Sequence, residues 1–240
     1  MPEQRSRQES QAATQEKVVA ADLSAKLRIT EVFHSIQGES TRVGLPTVFI
    51  RLSGCPLRCT WCDTEYAFTG GETMSVGEVL ERVAALGGVA ACPTVCVTGG
   101  EPLAQKGCPD LLSALCDAGY SVSLETSGAL DIAAVDARVS RIMDLKAPGS
   151  GEAARNRWEN LESLTPRDEL KLVLASREDY DWAKRQLAEH RLATRCPVLF
   201  SPVQGRLAPA QLAQWILDDR LPVRFQLQLH KILWQDAKGR

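Results

Sequence analysis

The chain has 240 residues, 44% of them apolar, and carries 28 Lys and Arg against 30 Asp and Glu for a net charge of -2. That composition gives one well-buried core enough apolar material and excludes disorder throughout. A charge this close to zero, with only 5% aromatic residues, leaves neither the basic footprint of a nucleic-acid-backbone binder nor the stacking platforms of a single-strand binder.

Residues 1–25 are rich in Gln, Glu, Ala and Ser and contain no aromatic residue. They cannot bury enough apolar surface to offset their ordering entropy, so they are expected to form a disordered tail ahead of one folded domain over 26–240. The start lacks the apolar stretch of a secretory signal, and no run approaches the ~18–20 apolar residues that cross a bilayer. The expected compartment is the cytoplasm, with no membrane partner. There, cysteines 55, 59, 62, 92, 96, 108, 116 and 196 would be thiols or metal ligands rather than disulfides.

From Leu27 to Ile36, LRITEVFHSI alternates apolar and polar positions, and PTVFIRL over 46–52 is β-branched and aromatic. These read as two strands joined across the Gly38–Gly44 turn region, and a Cys-rich loop over 54–66 follows. Ser75 and Glu78 make a capping box for a helix over 76–86. Strands and helices then alternate: strand 93–98, helix 109–118, strand 120–125, strand 141–146, a helix around 152–162, strand 169–174, helix 177–190, strand 197–201, helix 209–218 and a last strand near 223–228. Such alternation implies βαβ crossovers. The expected fold is α/β, a partial, open barrel of about six or seven mainly parallel strands with its site at their C-terminal ends.

The sharpest local signal is Cys55-Pro-Leu-Arg-Cys59-Thr-Trp-Cys62, placed just past a strand. Three thiolates this close can wrap one inorganic cluster, and a four-iron cluster with three protein ligands keeps one iron open for a small molecule. Two other readings use the same residues. One is a zinc knuckle completed by His34, Asp63 or His230; the other is a thiol–disulfide pair of Cys59 and Cys62, which would leave Cys55 idle. Cys92, Cys96, Cys108, Cys116 and Cys196 read as packing residues.

The CxxxCxxC spacing resembles the signature of the radical S-adenosylmethionine enzymes. Thr98-Gly99-Gly100-Glu101-Pro102, at the next strand end, is similar to that family's glycine-rich segment. The resemblance implies a [4Fe–4S] cluster on Cys55, Cys59 and Cys62, with Gly99, Gly100 and Glu101 near the methionine amino group of S-adenosylmethionine. Further segments at later strand ends, Ser127, Asp144-Leu145-Lys146 and Ser201-Pro202-Val203-Gln204, resemble those that contact the same cofactor.

Within that family, the stretch from Glu31 to Glu39, Arg51, Asp63-Thr64 and Leu227-Gln228-Leu229-His230-Lys231 resemble the 7-carboxy-7-deazaguanine synthases, over about residues 27–234. The implied reaction contracts 6-carboxy-5,6,7,8-tetrahydropterin to 7-carboxy-7-deazaguanine with loss of ammonia, on the route to queuosine and related 7-deazapurines. The implied substrate residues are Ile36, Gln37, Gly38, Glu39, Arg51, Thr98 and His230, and Thr64 would help hold a Mg²⁺. Gln37 and Glu39, two apart, would share one strand face and read the guanine-like edge of the pterin. The planar fork of Arg51 suits the substrate carboxylate. An electron donor such as flavodoxin or ferredoxin and a homodimer are also implied. The ending QDAKGR after Trp234 departs from members whose C-terminal carboxylate lies in the site, so no residue is carried over from that feature. Three alternatives remain: another small radical enzyme, such as a glycyl-radical activase, a zinc-binding interaction module, and a thiol–disulfide oxidoreductase built on Cys59 and Cys62.

Overall fold

The computed structural model describes residues 20–235, 237 and 239. The strands expected from the alternating pattern are present as β1 (Lys26–Ile36), β2 (Pro46–Leu52), β4 (Thr94–Gly99), β5 (Ser121–Thr126), β6 (Ser140–Asp144), β7 (Glu169–Leu174), β8 (Val198–Pro202) and β9 (Arg224–Phe225). To these the structure adds β3 (Glu72–Ser75), too short to carry a period of its own. All nine strands form one sheet in the order β3-β1-β2-β4-β5-β6-β7-β8-β9. From β2 onward every neighbouring pair is parallel, whereas β1 runs antiparallel to β2 and β3 antiparallel to β1. The parallel part thus has seven strands, and the sheet stays open, with β3 and β9 at its edges.

The larger helices are α1 (Val76–Ala85), α3 (Cys108–Asp117), α4 (Arg177–Glu189) and α5 (Pro209–Asp218), with the one-turn α2 (Gly88–Ala91) after α1. The Ser75–Glu78 capping box at the start of α1 forms with both of its hydrogen bonds. Alternate strand residues face these helices: Val48, Ile50 and Leu52, Val95 and Val97, Val122 and Leu124, Leu170, Leu172 and Leu174, and Val198 and Phe200 join one core cluster with Val79, Val83, Leu111, Leu115, Tyr180 and Leu212. The residues between them point to the uncovered face, because side chains in a strand alternate sides.

A bulge in β1 adjusts this alternation. Ile29 pairs with Leu52, but Glu31 pairs with Arg51, so Thr30 is an extra residue. Leu27 and Ile29 therefore join the core, while Glu31 and Phe33, which would otherwise share their face, turn to the open side beside Arg51 and Phe49.

Three expectations are corrected. The segment over 152–162 is not an α-helix but two 3-10 turns, Ala153–Arg155 and Trp158–Ser163. The buried amide of Asn160 donates to the carbonyls of Gly128 (3.1 Å) and Leu130 (2.7 Å), pinning this segment as a loop brace. The last strand is only the two residues of β9, and the chain then turns into a short helix, α6 (Leu229–Trp234). Gln226 ends the strand by pairing its amide with the backbone of Ser40 (2.8 and 2.7 Å), which draws the chain across the end of β1. The predicted tail lies outside the described residues up to position 19. Its last residues are docked, with Leu23 and Ala25 carbonyls accepting from Gly77 and Val76 at 3.0 Å each.

Candidate active site

Past β2 the chain turns at Gly54, whose φ of +92° lies in the left-handed region that glycine favours. The Cys loop then lies across the strand ends. Gly100, after β4, donates to the Leu52 carbonyl (3.0 Å), and Glu101 donates to that of Gly54 (2.8 Å). A Cβ on Gly100 would overlap the Gly54 carbonyl. What requires glycine here is thus the approach of the Cys loop, although Gly99 and Gly100 also line the cleft beside it.

That cleft encloses about 1000 Å³, counting the part open to solvent. Cys55, Cys59 and Cys62 all line it and are half-buried. Burial pushes all three thiols up, the opposite of the lowered thiol of a reactive CxxC pair. Among the described residues no three His, Cys, Asp or Glu side chains converge as ligands of a single metal ion. Of the proposed zinc partners, Asp63 pairs with Lys231 at 2.9 Å and His230 packs over Gly38, while His34 is exposed and is not on the cleft lining. Three separate thiols around one opening suit a cluster whose irons sit at different corners.

Ser127, Asp144, Lys146 and Val203 line the same cleft. Five other residues expected near the cofactor are not on its lining. Leu145 is in the core. Pro202 and Gln204 line a separate groove beside α6. Glu101 is fully buried, and its carboxylate accepts from Leu103 N (3.0 Å), Thr126 Oγ1 (3.0 Å), and Ser127 N (2.7 Å) and Oγ. It acts as a clasp between the loops after β4 and β5. Ser201, also buried, has a hydroxyl with no hydrogen-bond partner among the described residues.

A second pocket of about 410 Å³ is lined by Phe33, Ile36, Gln37, Gly38, Glu39, Phe49, Arg51, Thr98, Glu125 and His230. It contains every residue expected to bind substrate. Arg51 donates from Nε to Glu31 Oε1 (2.7 Å), which also accepts from the Tyr66 hydroxyl (2.7 Å), and the guanidinium sits 5.8 Å from the ring centres of Phe33 and Tyr66. Gln37 and Glu39 are not on a strand, since β1 ends at Ile36. They meet in a turn, where Gln37 Oε1 accepts from Glu39 N (3.1 Å) and Gln37 Nε2 donates to Glu125 (3.3 Å). His230 belongs to α6. The Leu229 N–H donates to the Gly38 carbonyl (2.9 Å), and a Cβ on Gly38 would lie 2.9 Å from the His230 backbone nitrogen, so the glycine lets α6 close over the site.

Glu39, Thr98 and Glu125 line both pockets and form their common wall. Thr98 Oγ1 donates to Glu125 (2.9 Å). Beside them, Lys171 also lines the cleft; its ammonium pairs with Glu39 and lies 3.3 Å from Asp144, which also takes Lys146 at 2.7 Å. Burial alone would raise the Glu39 carboxyl, but Lys171 and His230 outweigh it and hold it below the usual carboxylate range. At the rim, Thr64 Oγ1 donates to Asp63 (2.9 Å). Burial opposes ionisation of Asp63 as well, yet Lys231 and Thr64 bring it down to about 2. The sequence reading assigned no site role to Glu31, Glu125, Lys171, Gln228 or Lys231, although Glu31, Gln228 and Lys231 lie in the stretches that carried the resemblance. For Lys171 the available signal was a lysine inside the otherwise apolar LKLVL.

Residues 49–147 match the Radical SAM superfamily. The chain is 49% identical to a 7-carboxy-7-deazaguanine synthase of Chlorobaculum tepidum, over 90% of this chain and 98% of that protein. It is 42% identical to the enzyme of the same name from Koribacter versatilis, over 89% of this chain and all of that protein. Its fold is shared with the crystal structure of QueE from Escherichia coli, with a TM-score of 0.71 at 22% identity, over 85% of this chain and 95% of that one. With near-full-length identity of this order and the Cys loop, glycine-rich turn and adjoining pocket in place, the chain belongs to the 7-carboxy-7-deazaguanine synthase family of radical S-adenosylmethionine enzymes.

Proposed function

We propose that this enzyme contracts 6-carboxy-5,6,7,8-tetrahydropterin to 7-carboxy-7-deazaguanine with release of ammonia, as a cytoplasmic homodimer that draws its electron from a flavodoxin or ferredoxin and uses Mg²⁺. The observation that carries this reading is the shared wall. A pocket holding an arginine and a polar turn opens, across Glu39, Thr98 and Glu125, onto the cleft of the three thiols.

As a radical S-adenosylmethionine enzyme the chain takes a [4Fe–4S] cluster and S-adenosylmethionine, which together supply the hydrogen-atom abstraction that starts the rearrangement. Cys55, Cys59 and Cys62 would hold the cluster. The backbone at Gly99 and Gly100 and the side chains of Ser127 and Asp144 orient the cofactor. Ionised Glu39 is an acceptor only, suited to the N–H edge of a pterin, and Gln37 adds an amide that both donates and accepts. Arg51, braced by Glu31, pairs with the substrate carboxylate. The hydroxyl of Thr64 offers one oxygen to Mg²⁺, an ion that commonly takes few protein ligands and completes its shell with substrate oxygens and water. The backbone of α6, packed on Gly38, covers part of the pocket.

Arg51 and Thr64 test the substrate assignment. Arg51→Ala should keep the cluster and S-adenosylmethionine binding, while kcat/KM for the pterin falls roughly 30- to 1000-fold, the loss of a charge-assisted contact of about 2–4 kcal/mol. Arg51→Lys should recover only part, because an ammonium has no fork. Thr64→Ala should weaken the Mg²⁺ dependence instead. Wild-type turnover by Arg51→Ala contradicts the assignment.

A further inference from the structure

Lys171 stands in the middle of β7 on the face of the sheet that the helices leave open, and it is 8% exposed. An ammonium is costly to bury unless it is paired, and this one is paired twice. It contacts Glu39, which comes from the turn after β1, and lies 3.3 Å from Asp144, at the end of β6. Each carboxylate has a second partner: Gln228 donates to Glu39 (2.7 Å), and Lys146 to Asp144 (2.7 Å). The two carboxylates serve different spaces. Asp144 lines the thiol cleft and not the pterin pocket, whereas Glu39 also lines the pterin pocket and the cavity above it.

We propose that Lys171 is a positioning residue that ties the two binding sites together, one buried ammonium fixing Glu39 for the substrate and Asp144 for the cofactor. The inference rests on the assignment of Glu39 to the pterin. A lysine suits the role because its charge is compact and its stem flexible, so the two carboxylates together set where it sits. Neutralising either one lets the ammonium move toward the other. Affinity for each ligand therefore depends on the carboxylate at the far end, which is a coupling between two sites through a shared element.

The test uses the cluster-loaded protein in its oxidised state, where binding is measured without turnover. Dissociation constants for 6-carboxytetrahydropterin and for S-adenosylmethionine are determined by calorimetry, with melting temperatures alongside, for wild type, Lys171→Met, Lys171→Arg, Asp144→Asn and the Lys171→Met/Asp144→Asn double variant. Asp144→Asn should weaken pterin binding about 5- to 10-fold, within the usual range of coupling between sites. The same change should add less than about twofold once Lys171 is methionine, because the link is already gone. Lys171→Met should weaken both ligands about tenfold or more, and Lys171→Arg should restore part of both.

The bridge is refuted if Lys171→Met alters only one of the two constants, or if it lowers the melting temperature while both constants hold. If Lys171→Met does not fold, Asp144→Asn decides, since wild-type pterin affinity in that variant also refutes the bridge. A wild-type protein that does not bind the pterin refutes the substrate assignment instead. The bridge is then judged by Glu39→Gln, which should weaken S-adenosylmethionine at least about fivefold; unchanged affinity overturns it.

Discussion

On the helix-covered face of the sheet, Val97, Leu124, Leu172 and Phe200 are fully buried and apolar, and all belong to one core cluster. One position along the same strands, on the open face, stand Thr98, Glu125, Lys171 and Ser201. A parallel strand covered on both sides reads as continuously apolar. Here the period of two separates the work instead: one face supplies stability, and the other supplies a lining of acceptors and cations at the C-terminal strand ends. The lesson is that a polar residue inside an apolar strand locates the open face, and with it the site.

The largest effects should come from the open face. Replacing Cys55, Cys59 or Cys62 with Ala should abolish cluster assembly and all turnover while leaving the melting temperature of the iron-free protein unchanged. Cys108→Ala should retain full iron and sulfide content, because that thiol is buried in the core cluster. Iron and sulfide analysis with the absorbance near 400 nm reads both, and full loading of a Cys59 variant would break the comparison at its strongest point.

Next comes the covered face. Phe200→Ala should cost about 3–5 kcal/mol in denaturant unfolding, through lost burial and the cavity left behind. S-adenosylmethionine affinity of the folded fraction should not change. An equal loss of affinity would show that the two faces do not act separately.

Glu101 lies where the faces meet, so its substitution should disturb both by less. Glu101→Gln replaces an acceptor of several hydrogen bonds with a group that must donate at one end, and should cost about 1–3 kcal/mol. Because it clasps the loops after β4 and β5, cofactor affinity should fall as well. A loss of affinity with no loss of stability would return Glu101 to the role of a direct ligand.

The smallest effect is a pH dependence on the covered side. Asp168 pairs with Arg141 (2.7 Å), both side chains being buried. Burial opposes ionisation of Asp168, but the hydrogen bonds from Arg141 and Thr165 prevail and hold its carboxyl below the ordinary value. A carboxylate with a lowered folded pKa adds stability that is fully present above the unfolded value, near 4, and is lost as pH falls through the lower folded one. Melting curves between about pH 2 and pH 6 should therefore lose part of their acid-side slope in Asp168→Asn.

How much of this was legible in the sequence depended on distance along the chain. The thiol loop and the glycine-rich turn were readable because their ligands lie within a few residues of one another. The parallel strands were readable because each carries its own period. Glu31 was not, since its turn toward Arg51 depends on the bulge at Thr30 and so on pairing with β2. Glu125 and Lys171 were missed for the same reason: their roles come from register across four neighbouring strands. The last strand was expected to run to about 228, but the chain leaves the sheet after Phe225, and Gly38 leaves room for the backbone of the short helix that follows. The predicted helix over 152–162 failed where one buried amide, that of Asn160, holds two distant carbonyls.

The most direct measurement is made on the wild-type enzyme, purified without oxygen and loaded with iron and sulfide. Reduced enzyme is incubated with S-adenosylmethionine and Mg²⁺, with and without 6-carboxy-5,6,7,8-tetrahydropterin, and both cofactor cleavage and 7-carboxy-7-deazaguanine are followed by chromatography and mass. The account predicts slow cleavage alone and formation of the deazaguanine, with ammonia, only when the pterin is present. Cleavage of the cofactor with the pterin left untouched would contradict it.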